Sequence, residues 1–466
     1  MTEPTPQSVY RRWTDAWNEW VPIGLAPSVI LIIGLISGGL LLTQSRGGSE
    51  RPDLVFWTFA VPHYNAALQT TPAFEQAEGV TAQPYHVHSS AVTRRLRAAY
   101  AAGIKLPDLV EVEITPVGSF FRGPTDEIPF IDLRPRLIES GLMDRIVQTR
   151  LSPYTVPDAE TGEELIVGLP HDVHPVALAY RRDIFEELGI DPEQIETWDD
   201  FVEIGRRVAV PGQRYLIQLE DTSAVSFEVF LYQRGGNFFT PRGELRMDDE
   251  VAYQTLRWFI PLVAGDQRIS TNPGSFGQAF YRGIEEGYFL TFICPDWRAG
   301  VTKFNLPDLD GKLGLMPLPA FEPGGRRTST WGGTMMGITR TADDPDLAWR
   351  YVLHMYLDPA TAEENFRETF ILPPFKDLWD LPVFHKPSEY FGGQKVGELY
   401  MSLADEVPPQ YGSPYLQLAK NKMGEVVAAC TAYYRANGED GFDAFARARL
   451  DEAAAYVRFQ MQRNPF

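Results

Sequence analysis

The sequence predicts an α/β body of more than one lobe, preceded by a single membrane-spanning helix. Three observations lead to this prediction. An uncharged apolar run lies near the start of the chain, strand-like and helix-like segments alternate after it, and most of the 466 residues have ordinary globular composition. Because a chain of this length exceeds the usual size of one hydrophobic core, we expect two lobes.

The apolar run extends from Val21 to Leu42 and contains no charged residue. As a helix rising ~1.5 Å per residue it would span about 33 Å, which is enough to cross a bilayer. No small-x-small cleavage site follows it, and no cysteine stands directly after it for lipid attachment. We therefore expect an uncleaved signal anchor, with cleavage as the alternative. The expected segments are a cytoplasmic stretch at residues 1–20, the transmembrane anchor at 21–42 and a linker at 43–52.

Short apolar runs and amphipathic stretches alternate from residue 53 onward, as expected for α/β layers. Thr197 and Asp200 have the spacing of a capping box. Asp344 and Asp358 are each followed by proline, which predicts two helix starts. The segments typical of strands are 53–61, 108–115, 176–180, 288–294, 312–317 and 334–339, and those typical of helices include 91–102 and 442–462.

The charge and cysteine content exclude several classes of partner. The chain has 62 acidic and 42 basic residues and a net charge of −20. Binding to nucleic acid or to anionic lipid through charge is therefore excluded. Cys294 and Cys430 do not make a disulfide framework, and two buried free thiols are favoured over a bridge.

No common phosphate-loop, nucleophile-elbow or zinc-protease motif occurs, so we expect no catalytic residues, no metal and no cofactor. Two histidine pairs, His86 with His88 and His171 with His174, leave metal ligation open. Histidines that are hydrogen-bonded within the protein or exposed to solvent are favoured over metal ligands, because no cysteine or further histidine lies near either pair in the sequence.

Aromatic residues stand beside polar or glycine-rich turns near predicted strand ends. A flat ring packs against the apolar face of a sugar, while carboxylates and amides bind its hydroxyl edge. Ligands of open α/β sheets bind beyond the carboxyl ends of the strands, where Trp57, Glu111 and Glu113 are expected. Any one of these tryptophans could instead be a core residue, but the aromatic residues taken together favour a sugar site. Its aromatic members are Trp57, Tyr232, Trp297 and Trp331.

Five segments share the order and spacing of a known family. They are 96–112 (LRAAYAAGIKLPDLVEV), 167–191 (VGLPHDVHPVALAYRRDIFEELGID), 196–201 (ETWDDF), 287–297 (GYFLTFICPDW), and 331–337 (WGGTMMG) with 348–366 after it. From residue 53 to about 391 the chain resembles the family 1 extracellular solute-binding proteins of ABC importers, the carbohydrate-binding group that includes maltose-binding protein. The step His171–Pro175 is most similar to arabinose-type members, whereas Arg181 replaces the usual asparagine.

The resemblance implies a two-lobe periplasmic-binding-protein fold with a central ligand cleft that closes around its ligand. Lobe 1 would contain residues 53–165 and 320–371, lobe 2 residues 166–319 and 372–466, with crossings near 164–170, 318–327 and 370–375. Position against the family pattern implies that rings stack on the ligand, that Glu113 and Asp172 accept hydroxyl hydrogens, and that the backbone at Gly332 approaches closely. The ligand-binding residues expected are Trp57, Ser90, Glu113, Asp172, Tyr232, Trp297, Trp331 and Gly332.

The implied function is a membrane-tethered sugar-binding component of an ABC importer, on the extracytoplasmic face of the bacterial cytoplasmic membrane. It would capture a mono- or oligosaccharide as a monomer and deliver it to permease subunits. Because family members are usually free or lipid-tethered, an anchor helix would place capture close to the permease. Two alternatives stay open. One is an extracytoplasmic glycoside-active enzyme, which needs two carboxylates ~5–10 Å apart, and the other is a ligand-sensing receptor.

Overall fold

The computed structural model describes Ser28 and residues 30–37, 51–158 and 161–463. The chain divides into two compact units, Met1–Pro52 and Asp53–Phe466. In the first unit, Ser28 and residues 30–37 are helical, and the large apolar side chains of this stretch are exposed. Among the described residues, no helix is both long and apolar enough for a membrane span. Most of the predicted anchor at 21–42 lies outside the described residues, as do the segment 1–20 and most of the linker.

The second unit alternates strands and helices. Its strands are β1 Leu54–Thr58, β2 Ala82–His86, β3 Leu109–Glu113, β4 Thr155–Pro157, β5 Glu164–Ile166, β6 Leu169–Pro170, β7 Val176–Arg181, β8 Tyr215–Gln218, β9 Ser270–Thr271, β10 Phe289–Pro295, β11 Leu313–Pro317 and β12 Thr334–Ile338. Its helices are α1 Val61–Glu78, α2 Ser89–Ala101, α3 Ile114–Val117, α4 Arg134–Glu139, α5 Arg182–Glu187, α6 Trp198–Val208, α7 Val225–Gln233, α8 Glu250–Val263, α9 Gln278–Glu285, α10 Asp296–Asn305, α11 Pro345–Leu357, α12 Pro359–Thr369, α13 Val396–Ala404, α14 Leu416–Asn437 and α15 Phe442–Arg463.

The helix starts follow the local signals in the sequence. Thr197 caps α6 by accepting the Asp200 N–H, and the Asp200 carboxylate accepts the Thr197 N–H, which completes the predicted capping box. Asp344 and Asp358 cap α11 and α12, each with proline in the first turn. The six predicted strand segments correspond to β1, β3, β7, β10, β11 and β12; four agree to within one residue, whereas β1 and β3 end three and two residues before the predicted limits.

Two mixed five-stranded sheets form the two lobes. In lobe 1 the strand order is β2-β1-β3-β12-β6, with β1 parallel to β2 and β3 and with β12 antiparallel to both of its neighbours. In lobe 2 the order is β11-β7-β10-β8-β9, with β8 parallel to β10 and β9, and β7 antiparallel to β10 and β11. Separate clusters of buried apolar side chains form the core of each lobe.

Three crossings connect the lobes. Residues 171–175 lead from β6 to β7, and residues 318–333 lead from β11 to β12. A third crossing near 370–375 leads towards α14 and α15, which pack on α8 of lobe 2. The Val173 N–H donates a hydrogen bond of 3.0 Å to the backbone oxygen of Leu372, which joins the first crossing to the third. The first crossing comes later than the predicted 164–170, because Leu169–Pro170 still pairs with β12 in the lobe 1 sheet.

Candidate ligand-binding cleft

A large cavity lies between the two lobes. Its volume is about 1460 Å³, which exceeds the ~300–1,000 Å³ typical of a site for a drug-sized ligand. Residues that follow the carboxyl ends of β1, β2, β3, β8 and β10 line it. This is the position expected for ligands of open α/β sheets. The cavity therefore has room for an extended ligand of more than one ring.

Three aromatic residues, Phe276, Trp297 and Trp331, form what we call the aromatic wall of this cavity. Trp297 stacks on Phe276 with ring centroids 5.9 Å apart and 26° between the planes, and it meets Trp331 edge-on at 5.3 Å. The Trp297 indole N–H donates a hydrogen bond of 2.9 Å to the backbone oxygen of Trp331. These contacts fix the rings before a ligand binds, which lowers the entropic cost of stacking a sugar against them.

A buried arginine contacts the aromatic wall. The Arg298 guanidinium lies 5.0 Å from the Phe276 ring centre and 5.2 Å from that of Trp331. It also donates hydrogen bonds to the backbone oxygens of Ile293, at 2.8 Å, and Ser275. Burial lowers the pKa of Arg298 to about 10, so the group stays charged at neutral pH. Cation–π attraction and hydrogen bonding together hold this part of lobe 2 in one arrangement.

Polar residues of lobe 1 form a second wall, which we call the polar wall: Ser89, Ser90, Thr93, Glu113 and Thr115. Ser90 lies in the first turn of α2, where the His88 ring accepts its N–H at 3.3 Å. The Glu113 carboxylate, at the end of β3, is open to the cavity but surrounded by protein. Burial raises the pKa of Glu113, although Lys420 and His88 act in the opposite direction. Hydroxyl and carboxylate groups of this kind bind the hydroxyl edge of a sugar.

One lysine joins the lobes across the cavity. Lys420 Nζ, on α14, lies 2.7 Å from a carboxylate oxygen of Glu228 on α7 and donates a hydrogen bond of 3.1 Å to the Thr115 hydroxyl of lobe 1. The acidic lining residues outnumber this single lysine, so the described lining carries net negative charge and disfavours anionic ligands. They are Glu113, Glu220, Glu228, Glu368 and Glu425.

Gly332 lets the second crossing pass close to the aromatic wall. Its φ is +91°, and an added Cβ would lie 3.1 Å from Nε1 of Trp297 and 3.4 Å from the His174 ring. A side chain at this position would meet both neighbours and strain the backbone, so the geometry requires glycine.

A buried ion network connects the crossings next to the cavity. Arg150 Nη2 lies 2.7 Å from Oδ1 of Asp172, and His174 Nε2 lies 3.0 Å from Oδ2 of the same residue. The other ring nitrogen of His174 lies 2.6 Å from Asp296. Although burial lowers the pKa of His174, the charges of Asp172 and Asp296 raise it to about 9. The ring is therefore protonated at neutral pH and neutralises part of the charge of the two carboxylates.

Backbone groups complete this network and tie it to all three crossings. The Thr334 N–H, where the second crossing ends, donates to Asp172 at 2.9 Å, and the Leu372 N–H of the third crossing donates to Asp296 at 2.9 Å. His174 and Phe370 have φ of 54° and 58°, a left-handed conformation that costs energy outside glycine. The two strained positions thus lie in the first and third crossings, where a hinge motion would have to act.

The structure brings five of the eight sequence-predicted ligand residues to the cavity: Ser90, Glu113, Trp297, Trp331 and Gly332. The other three, Trp57, Asp172 and Tyr232, do not line it. Trp57 is half-buried on β1 and packs against apolar residues of lobe 1. Tyr232 is 1% exposed in the lobe 2 core, with its ring 6.3 Å from that of Phe238. Asp172 has no exposed surface, because the ion network encloses it.

Sequence reasoning missed four lining residues with clear contacts: Thr115, Glu228, Phe276 and Lys420. Phe276 lies in the Gly274–Gly277 turn, so an aromatic residue next to glycine was the available signal. Lys420 lies on α14, beyond the segment covered by the resemblance, and only the packing of α14 brings it to the cleft.

Comparison with known proteins agrees with this architecture. The family model described as "Bacterial extracellular solute-binding protein" matches residues 64–362. An arabinooligosaccharide-binding protein of Halalkalibacterium halodurans is 28% identical over 365 residues, covering 76% of this chain and 79% of the relative. An arabinooligosaccharide-binding protein of Bacillus subtilis is 25% identical over 401 residues, covering 82% and 88%.

Solved structures share the fold. The sugar-binding protein MalE from Xanthomonas citri superposes with a TM-score of 0.68 at 16% identity, covering 88% of this chain and 99% of that one. The ABC-transporter-associated binding protein from B. animalis subsp. lactis, in complex with β-1,6-galactobiose, gives a TM-score of 0.64 at 18% identity, covering 87% and 98%. The order of the segments, the two-lobe fold and the family match lead to one conclusion: the chain belongs to the bacterial extracellular solute-binding protein family.

Proposed function

We propose that this chain is the sugar-binding component of an ABC importer and that it captures a neutral oligosaccharide in the cleft. The observation that carries the proposal is the pairing of the aromatic wall with the polar wall in one cavity. A sugar ring has an apolar face and a hydroxyl edge, and the two walls offer a partner to each. A solute without hydroxyl groups would leave the polar groups of this wall without hydrogen-bond partners. An aromatic anion would be repelled by the negative charge of the lining glutamates.

The size and charge of the cavity narrow the ligand class. A cavity of about 1460 Å³ suits more than one sugar ring. The excess of glutamates over lysine in the lining favours a neutral ligand over a uronic acid or a sugar phosphate. Relatives named as arabinooligosaccharide-binding and lactose-binding proteins support neutral oligosaccharides of pentoses or hexoses as the first candidates.

Within the site, we assign stacking to Trp297 and Trp331 and hydrogen bonding of hydroxyls to Ser90 and Glu113, with Gly332 allowing close approach. Asp172 acts on the hinge through the ion network and not on the sugar. Closure would bring the lobes together by rotation at the crossings. The lobe boundaries remain those expected from the sequence, with the first boundary moved to residues 171–175.

Residues 21–42 would hold this receptor at the membrane, with the binding unit on the extracytoplasmic face. A tether keeps the receptor within a short distance of the permease and raises its effective concentration there. We propose that the protein acts there as a monomer, without nucleic acid and without covalent chemistry on the sugar.

The test is a thermal unfolding series of the purified protein with neutral pentose and hexose oligosaccharides, uronic acids and sugar phosphates. A ligand at 100 times its Kd adds about 2.7 kcal/mol of stability, which shifts Tm by a few degrees. We expect shifts with one set of neutral oligosaccharides and much smaller shifts in a Trp297→Ala variant. A Tm that responds to another solute class and to no neutral sugar would contradict the proposal. Recovery of the sugar as hydrolysed product would favour the enzyme alternative.

A further inference from the structure

A second buried polar cluster lies in lobe 1, distinct from the ion network. Glu111 is in the middle of the lobe 1 sheet on β3, His63 is in the first turn of α1, and His171 begins the first crossing. The three residues are 1%, 9% and 7% exposed. One ligand atom from each lies within 4.8 Å of the others. Three distant parts of the sequence therefore present two imidazoles and one carboxylate to a single point.

The carboxylate of this cluster has no arginine or lysine partner among the described residues. Glu111 accepts hydrogen bonds from the Thr58 hydroxyl at 2.5 Å and from the Tyr356 hydroxyl at 3.3 Å. The other close polar contact of this carboxylate is with the His63 ring, whose Nδ1 lies 3.0 Å from Oε2. A buried carboxylate held only by hydroxyl groups and an imidazole is a favourable ligand for a cation, because a cation would offset the cost of burying its charge.

The third member of the cluster has an unused nitrogen. The buried Nδ1 of His171 has no hydrogen-bond partner among the described residues, and its nearest carboxylate oxygen, on Asp172, is 3.9 Å away. The His171 and His63 rings lie together with centroids 4.2 Å apart. An unpartnered buried nitrogen of this kind calls for a ligand.

We propose that His63, Glu111 and His171 bind a divalent cation of borderline softness, of which Zn²⁺ is the type. Two imidazoles and one carboxylate are a common zinc ligand set, whereas Ca²⁺ and Mg²⁺ prefer oxygen alone. Ligand atoms of a tetrahedral zinc ion lie about 3.3–3.5 Å apart. The His63–Glu111 pair is already near this separation, and the His171 ring, whose ligand atom lies within 4.8 Å of the other two, needs a shift of up to about 1.5 Å.

The position of the cluster beside the cleft allows an ion to enter and to stabilise the fold. His63 also lines the large cavity, so an ion can enter from the cleft, and the fourth coordination position can take water from the same side. The ion would connect α1, β3 and the first crossing. It would place positive charge beside the buried Glu111 carboxylate, and binding to the folded state alone would raise Tm.

The experiment uses untagged full-length protein, stripped with chelator and dialysed, and titrated with Zn²⁺ against a chromophoric competitor. We expect one equivalent of tight binding and a higher Tm. His171→Ala and Glu111→Gln should each weaken zinc binding at least about tenfold, since changing even a residue that only hydrogen-bonds a metal ligand costs about 10–100-fold in affinity. His385→Ala is the matched control, because His385 forms a similar pair with Glu398 at 3.1 Å on the surface, and it should bind zinc as the wild type does.

Two readouts keep the inference testable if a variant folds poorly. The Tm of each variant in chelator shows whether it is folded, and Co²⁺ added to the wild type should give the absorption bands of a tetrahedral N/O site. Wild-type protein that binds no zinc, or binds it as weakly as His171→Ala, would overturn the inference. Sugar binding is measured separately, so failure of the metal site and failure of the proposed function give different results.

Discussion

The two walls of the cleft are built in different ways. The aromatic wall is held by contacts among its own members and with Arg298, so its rings are in place in the absence of a ligand. The polar wall consists of single groups at the ends of separate lobe 1 elements. Its Thr115 hydroxyl accepts a hydrogen bond from Lys420 of lobe 2, which is itself ion-paired with Glu228. We therefore propose that the aromatic wall supplies affinity for any sugar of suitable shape and that the polar wall selects among sugars.

The largest expected effect concerns the buried ion network that connects the crossings. Asp296→Asn leaves protonated His174 with one carboxylate, and breaking a buried pair costs about 3–5 kcal/mol. The free energy of unfolding in urea should fall by this amount, while the order of preference among sugars stays the same, because neither wall is altered. Asp346→Asn, at the exposed Arg136 pair, is the control and should cost less than about 1 kcal/mol. A changed order of sugars would contradict separate roles for the walls and the hinge.

The pH dependence of the same network gives the next effect. The pKa of His174 is about 9 in the folded protein against 6.5 for a free histidine. Its contribution to stability is therefore complete below about pH 6.5 and is lost as the pH rises through 9; the shift corresponds to on the order of 3 kcal/mol. The difference in unfolding free energy between wild type and His174→Asn should be large at pH 6 and small at pH 10. An equal difference at both values would show that the charge of His174 does not contribute. Asparagine tolerates the positive φ at this position.

Removing a ring from the aromatic wall should weaken the binding of every sugar by the same factor. Trp331→Ala removes a stacking surface worth about 2 kcal/mol at a binding centre, so Kd should rise about 30-fold for each sugar that binds. Trp379→Ala, outside the cleft lining, is the matched control and should leave Kd unchanged. Tryptophan fluorescence titration measures both. If Trp331→Ala changes the ratio of affinities between two sugars, the assignment of selectivity to the polar wall fails.

A change in the polar wall should have a smaller and more selective effect. Glu113→Gln replaces a charged acceptor by a neutral one, so Kd should rise about tenfold for the preferred sugar. Epimers that do not present a hydroxyl to Glu113 should be affected less, and the selectivity ratio should fall. Glu398→Gln, on the surface of α13, serves as the control. An equal loss of affinity for all epimers would show that Glu113 maintains the shape of the cleft and does not recognise the sugar.

Local signals in the sequence predicted the elements well, because caps and strand runs act over a few residues. Thr197, Asp344 and Asp358 cap helices as predicted. Cys294 and Cys430 are buried free thiols. Strand ends also predicted the region of the cleft, since residues after β3 and β10 line it.

Side-chain exposure depended on packing that the sequence does not display. Tyr232 precedes a glycine-rich turn, which predicted a position in the pocket. The packing of α7 instead buries its side chain in the lobe 2 core. Asp172 has a carboxylate that could bind sugar hydroxyls, but in the structure it pairs with Arg150 and His174. The His63–Glu111–His171 cluster joins residues up to 108 positions apart, and only the folded sheet reveals it.

The most direct test of sugar capture by the cleft is isothermal titration calorimetry with the neutral oligosaccharide that gives the largest Tm shift. The wild type and a Trp297→Ala/Trp331→Ala double variant would be compared. The account predicts saturable binding at one site in the wild type and no measurable binding in a folded double variant. Unchanged binding in the double variant, or no heat from any neutral sugar with the wild type, would contradict it.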